Sequence, residues 1–281
     1  AHGSANDFVV VEDLAGELEL DAAHVRALCD RRRGVGADGL IRVVADGPTV
    51  FMDYRNSDGS VAEMCGNGAR VFAKYCFDRG ILVGTDAEIG TRAGMRHVRV
   101  HHGADGRVTR VDVDMGPPVF DPTEIPVAVD AAAPVGPAAV SVDVDGTRVD
   151  GLAVGMGNPH AVFFVDDVAS APVQTLGPGI ERAVLFPNGT NVSFARVVSP
   201  ARIDLRVWER GSGETQACGT AACGTVVAAA ATGRAGRSVD VALPGGTVHV
   251  KWGDSVVLSG PAVEVFTATV DLGALVTTVE L

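Results

Sequence analysis

Lysine is nearly absent: only Lys74 and Lys251 stand among the 23 basic residues. Neither lies in a distinctive motif. A pyridoxal Schiff base needs a dedicated lysine, so the composition argues against that chemistry. Long apolar runs are missing too. None approaches about 18 residues, and no membrane-spanning helix is expected. Positive charge is scarce: a net charge of −12 offers no basic face for nucleic acid, although a locally positive site still suits a small anionic substrate. The opening Ala1-His2-Gly3-Ser4 lacks the basic and apolar stretches of a signal peptide. Five cysteines, an odd number at wide spacings with no Cys-x-x-Cys, argue against a secreted disulfide framework. The expectation is a soluble protein of the reducing cytoplasm.

What is present is ordinary globular material. The chain has 281 residues, 47% of them hydrophobic, enough for two domains or one large one. The 35 glycines and 14 prolines imply many turns between short strands. Residues 9–11, 40–44 and 49–54 read as strands. Residues 21–30 read as a helix capped by Asp21, and 31–39 as a glycine-rich loop. Asn56-Ser57-Asp58-Gly59 is turn chemistry. Val71, Phe72, Tyr75 and Cys76 fall at helical spacing, predicting a helix over 69–79 that stops at Gly80. Residues 81–150 read as a series of short strands, 97–101 and 108–114 among them, and Pro117-Pro118 as a linker. Strands are predicted again at 161–165, 191–195, 203–208, 245–251 and 256–258, with a turn at 211–213. The helix predicted over 220–232 has no polar face, so it is expected to be buried on all sides, wrapped by a curved sheet.

Two phrases repeat, one in each half: Met64-Cys65-Gly66-Asn67-Gly68-Ala69-Arg70 and Ala217-Cys218-Gly219-Thr220-Ala221-Ala222. Each places a cysteine at a helix start, after a strand. There the free backbone N–H groups and the helix dipole favour a thiolate. A pseudo-twofold pair of domains would set the two turns facing each other. Cys29, Cys76 and Cys223 read instead as small buried apolar residues.

Several chemistries compete for such a pair. A metal site lacks ligands: Cys218 and Cys223 have no matching His or Cys pair, and adjacent His101 and His102 in a strand point to opposite faces. A dithiol redox couple is open to two facing thiols. An acyl-transfer site pairing one Cys with His160 leaves the other Cys-Gly turn unexplained. Two-base proton transfer at carbon uses both cysteines. One thiolate removes a proton from one face and the opposing thiol returns one to the other. N–H groups of Gly66, Asn67, Gly219 and Thr220 would hold an α-carboxylate.

These residues bring the chain close to a known family. It resembles the diaminopimelate epimerases from residue 2 to about 265. The shared blocks are His2-Gly3 with Asn6-Asp7-Phe8, then Arg33-Gly34-Val35-Gly36-Ala37-Asp38-Gly39, Asn56 with Asp58-Gly59, and the first cysteine phrase. Gly157-Asn158-Pro159-His160, Thr190-Asn191-Val192, Trp208-Glu209-Arg210-Gly211 and Gly213-Glu214-Thr215-Gln216-Ala217-Cys218-Gly219 follow in order. The resemblance implies an isomerase that needs no cofactor and no metal. It would interconvert LL- and meso-2,6-diaminopimelate, in lysine and peptidoglycan precursor biosynthesis. Cys65 and Cys218 would be the acid and base. Asn6, Asn56, Asn158, Asn191 and Arg210 would bind the ammonium and carboxylate groups, Glu209 would contact the amino group, and His160 would tune the thiols.

The implied fold is α+β: two pseudo-symmetric domains, each a curved mixed or antiparallel sheet or barrel around a central helix. The domains are expected at 1–117 and 118–265, with 266–281 returning to the first and the active site in the cleft between them. A homodimer is also implied. Three departures stand out. A short strand normally precedes His-Gly. Gly39 stands where many members carry Gln. The second motif ends Thr220-Ala221-Ala222-Cys223. Among relatives, proline racemase-like chains usually show Cys-Gly-His where this chain has Asn67, the phenazine-type proteins lack the cysteine pair, and a histidine racemase is the nearer alternative.

Overall fold

The computed structural model describes residues 1–62, 64–129 and 136–279. The short-strand stretch at 130–135 and the last two residues of the C-terminal segment lie outside the described residues. The chain divides into two compact units, Ala1–Val113 with Gly260–Leu281, and Asp114–Ser259.

The first unit runs β1 (His2–Gly3), β2 (Asn6–Glu12), α1 (Ala22–Cys29), β3 (Gly39–Asp46), β4 (Thr49–Asn56), α2 (Gly66–Asp78), β5 (Asp86–Thr91), β6 (Gly94–His102) and β7 (Val108–Asp114). Strand order follows chain order. Neighbours are antiparallel except at two joints, β2 with β3 and β4 with β5. Parallel neighbours cannot be joined by a hairpin. Helices α1 and α2 are the crossovers that make those joints.

The second unit has β8 (Ala138–Val144), β9 (Thr147–Gly155), β10 (Pro159–Phe164), α3 (Val173–Glu181), β11 (Asn191–Ser199), β12 (Arg202–Glu209), β13 (Gly213–Thr215), α4 (Gly219–Ala231), β14 (Ser238–Leu243), β15 (Gly246–Trp252) and β16 (Val256–Gly260). Again two joints are parallel, β10 with β11 across α3 and β12 with β14 across α4. The units therefore share one plan, and α2 and α4 are equivalent second crossovers. A last helix, α5 (Leu272–Val279), belongs to the first unit, where Leu272 and Leu275 pack beside Val25, Leu28 and Leu40.

Helix α4 is buried on every side from Ala221 through Ala229, as its unbroken apolar run requires. Helix α2 buries Val71, Phe72, Ala73, Cys76 and Phe77 on one stripe. Asp21 caps α1 as expected, its carboxylate accepting from the Ala23 and His24 N–H groups. Helix α3 has no counterpart in the sequence reading. It carries Gly177 and Pro178, which ordinarily signal a break. Gly177 is needed because a Cβ there would lie 2.7 Å from the Trp208 ring. A register shift falls between His101 and His102 in the pairing of β6 with β7. His101 Nε2 lies 2.7 Å from the Asp112 carboxylate. No described helix is long and apolar enough to cross a membrane.

Candidate functional site

Both helices begin earlier than periodicity alone suggests, at Gly66 and Gly219 rather than at 69 and 220, which brings each cysteine to the helix start. The cysteines are the N-cap residues, Cys65 at φ −134°, ψ 116° and Cys218 at φ −126°, ψ 117°. The next three residues supply first-turn N–H groups with no acceptor inside the helix: Gly66, Asn67 and Gly68 in α2, and Gly219, Thr220 and Ala221 in α4. The Gly68 N–H reaches back to Cys65 Sγ at 3.4 Å. Ala221 stands at the same offset from Cys218, and its N–H favours the Cys218 thiolate. All five cysteines are thiols, Cys65 half-buried and the others buried. Burial, reinforced by the Asp7 charge, pushes Cys29 up to about 11, and burial with Glu12 pushes Cys76 up to about 12. Those two thiols are inert near neutrality.

Around Cys65 the first unit gathers Asn6, Asn67, Arg70 and Asp38. The Cys65 thiol donates to Asn6 Oδ1 at 3.7 Å. That oxygen also accepts from Asn67 Nδ2 at 3.3 Å, while Asn6 Nδ2 donates to the Asp38 carboxylate at 2.9 Å. Arg70, fully buried, orients Asn67 by donating to its Oδ1 at 2.6 Å, and also donates to Ser4 Oγ and the Pro261 carbonyl. Asn56 lies apart from this chain of bonds. Its Oδ1 accepts from the Tyr54 hydroxyl and its Nδ2 donates to Ser60 Oγ, both at 3.0 Å. Gly39 leaves room for Tyr54: a Cβ there would lie 2.8 Å from the ring and 2.6 Å from the Arg55 carbonyl.

Around Cys218 the second unit gathers Thr220, Asn158, His160 and Glu209. Cys218 Sγ lies 3.4 Å from Thr220 Oγ1, and Asn158 Nδ2 donates to that hydroxyl at 3.5 Å. His160 Nε2 meets Asn158 Oδ1 at 2.8 Å. His160 is fully buried, and desolvation, then the Arg210 charge, lowers it to about 3. Burial thus favours the neutral imidazole, which can hydrogen-bond but carries no charge to place beside a thiolate. Burial and the Glu209 carboxylate hold the Cys218 thiol well above the ordinary range, against the opposing pull of Thr220 and Ala221. Glu209 Oε1 in turn accepts from the Thr215 hydroxyl at 2.5 Å.

Asn191 departs from a simple binding role. Its Nδ2 donates to the Pro159 carbonyl and its Oδ1 accepts from the Arg210 N–H, both at 3.0 Å. It ties β10 to the Arg210 turn. Arg210 itself is exposed and donates from Nη1 to the Asn188 carbonyl at 3.0 Å. Arg70, Asp38, Tyr54 and Thr215 complete these networks. All but Tyr54 lie inside the shared motifs, but their spacing alone does not reveal that they orient side chains. No described group of three or more His, Cys, Asp or Glu side chains is placed to hold a metal ion.

Comparison with known proteins finds relatives over nearly the whole chain. The sequence pattern of a family described as diaminopimelate epimerase matches residues 1–120 and 152–265. A diaminopimelate epimerase of Moorella thermoacetica is 44% identical over 270 residues, covering 94% of this chain and 95% of that protein. One of Pseudomonas syringae pv. syringae is 44% identical over 277 residues, covering 96% and 97%. Among solved structures, a probable proline racemase from Agrobacterium radiobacter K84 shares the fold, with a TM-score of 0.67 at 16% identity, covering 92% of this chain and 88% of that one.

Proposed function

The chain belongs to the diaminopimelate epimerase family, and from that premise we propose that it interconverts LL- and meso-2,6-diaminopimelate by two-base proton transfer. The observation that carries the reading is the pair of cysteines at the N-caps of α2 and α4, equivalent helices with matching backbone. Inversion requires that both thiols reach one α-carbon from opposite faces. The thiolate takes the α-hydrogen as a proton and becomes a thiol. The electron pair left on carbon delocalises into the α-carboxylate. The other thiol then protonates the opposite face and becomes the thiolate. No electrons leave the substrate, so no cofactor is called for.

The first-turn N–H groups of Gly66, Asn67, Gly219 and Thr220 suit the carboxylate as it gains charge. Asn6, Asn56 and Asn158 present side-chain amides to the ammonium and carboxylate groups, and Glu209 suits the amino group. The planar guanidinium of Arg210 matches the distal carboxylate, and Asn191 holds the Arg210 backbone in place. Asn67 stands where proline racemase-like chains carry His, and Arg210 with the Asn set suits a substrate that has a second zwitterionic end. Five thiols support a reducing, cytoplasmic setting. A homodimer is the assembly the family suggests, and sedimentation velocity tests it.

The direct experiment is incubation with LL-diaminopimelate in deuterated water under reducing conditions. Meso product carrying α-deuterium is expected. The absence of both product and label would sink the reading.

A further inference from the structure

The two cysteine sites differ in one side-chain partner: a hydroxyl stands beside Cys218. Cys65 faces Asn6 Oδ1, which can only accept. Cys218 also faces an acceptor, the Glu209 carboxylate, but meets the Thr220 hydroxyl as well, and the direction of that second bond follows from the groups behind it. His160 Nδ1 is buried with no protein partner, while Nε2 lies 2.8 Å from Asn158 Oδ1. A proton on Nδ1 would be a buried donor without an acceptor, so the proton sits on Nε2. Nε2–H then donates to Asn158 Oδ1, which fixes the amide with its Nδ2 toward Thr220 Oγ1 at 3.5 Å. The hydroxyl accepts there, and its one proton is left for Cys218 Sγ at 3.4 Å.

We propose that the Thr220 hydroxyl is a positioning donor to the Cys218 sulfur, aimed there by the Asn158–His160 pair. It stays protonated throughout, and no proton moves along the chain. When Cys218 is the base its thiolate has to exist in a buried site beside Glu209, and Thr220 is the side chain that offsets both penalties. The charged and titratable groups bearing on this site are Glu209 on β12, the neutral His160 on β10, and Arg210, which acts on His160. Because His160 stays neutral down to about 3, the polarity does not reverse at working pH. Helix α4 packs closely behind the imidazole: a Cβ on Gly224 would lie 3.4 Å from its Cγ. The catalytic consequence rests on the epimerase reading, but the bond polarity does not.

The test is the rate of iodoacetamide alkylation at Cys218, read by peptide mass spectrometry on the full chain across neutral to mildly alkaline pH. Cys76 in the same digest reports general opening. Thr220→Val is expected to slow Cys218 alkylation about tenfold relative to Cys76, a pKa rise of about one unit, with Thr220→Ser within about twofold of wild type. If Thr220→Val does not fold, Thr220→Ala against Thr220→Ser makes the same comparison. Equal rates with and without the hydroxyl, or a Ser variant as slow as Val, would overturn the proposal. With substrate, the acid limb of kcat/KM is expected to rise by the same amount for the one isomer that Cys218 deprotonates. Alkylation needs no substrate. A hydroxyl-dependent rate without diaminopimelate turnover would therefore count against the epimerase reading and leave Thr220 assigned.

Discussion

Cys65 and Cys218 cap their helices with backbone angles that agree within about ten degrees, yet one sulfur meets an amide oxygen and the other a hydroxyl. Equal backbone presentation argues for equal necessity, and unequal partners argue for a division of labour. Cys65→Ser and Cys218→Ser are each expected to lower epimerisation by at least about a thousandfold while leaving the fold intact. Chiral chromatography of diaminopimelate checks this. Near-wild-type turnover by either variant would break the symmetric assignment.

Arg70 makes a second prediction. It is fully buried and donates to Asn67 Oδ1, Ser4 Oγ and the Pro261 carbonyl. Arg70→Met leaves those oxygens without their donor and frees Asn67 to rotate away from Asn6. A loss of about 3 kcal/mol is expected in urea unfolding. Arg70→Lys recovers little, because an ammonium cannot span the positions served by a planar fork. A Met variant as stable as wild type would show that Arg70 is dispensable.

The parts legible in the sequence are those with a strong local signal. The apolar run from Thr225 to Ala231 announces a helix buried on all sides, and the paired Cys-Gly phrases mark the starts of α2 and α4. Helix α3 is hidden because Gly177 answers to tertiary packing against Trp208 rather than to helix propensity, and Pro178 beside it reads as a break. The roles of Asn67 and Asn191 were only half legible. Motif position marks both as site residues, but only the fold shows that their amides are engaged with Arg70 and with the Pro159 and Arg210 backbone. Such partners lie on other strands or a helical turn away, and no sequence spacing encodes them.

Burial of neutral His160 links stability to pH. Its folded value falls from the ordinary 6.5 to about 3. Below 6.5 the unfolded chain takes up a proton that the folded chain refuses, so stability declines as pH drops from 6.5 toward 3. About 2 kcal/mol is expected to go between pH 6.5 and pH 5, where most carboxylates remain ionised. His160→Gln removes this slope whatever its effect on absolute stability. Urea midpoints across that range, wild type against variant, decide the matter, and identical slopes would mean that His160 is solvated.

Gly39 sets the last expectation. It pairs with Phe8 on one side and Asn56 on the other, inside β3. A Cβ there would lie 2.6 Å from the Arg55 carbonyl and 2.8 Å from the Tyr54 ring, whose hydroxyl holds Asn56. Gly39→Gln, which installs the residue many family members carry, is therefore expected to cost about 1–3 kcal/mol and to loosen Asn56. Tyr54→Val in the same chain removes the ring but not the carbonyl, so it is expected to recover only part of that loss. Full recovery would assign the whole clash to Tyr54, and no loss at all would mean that β3 and β4 separate without cost at this end. A raised KM with unchanged kcat in the single variant would further place Asn56 in binding rather than in the chemical step.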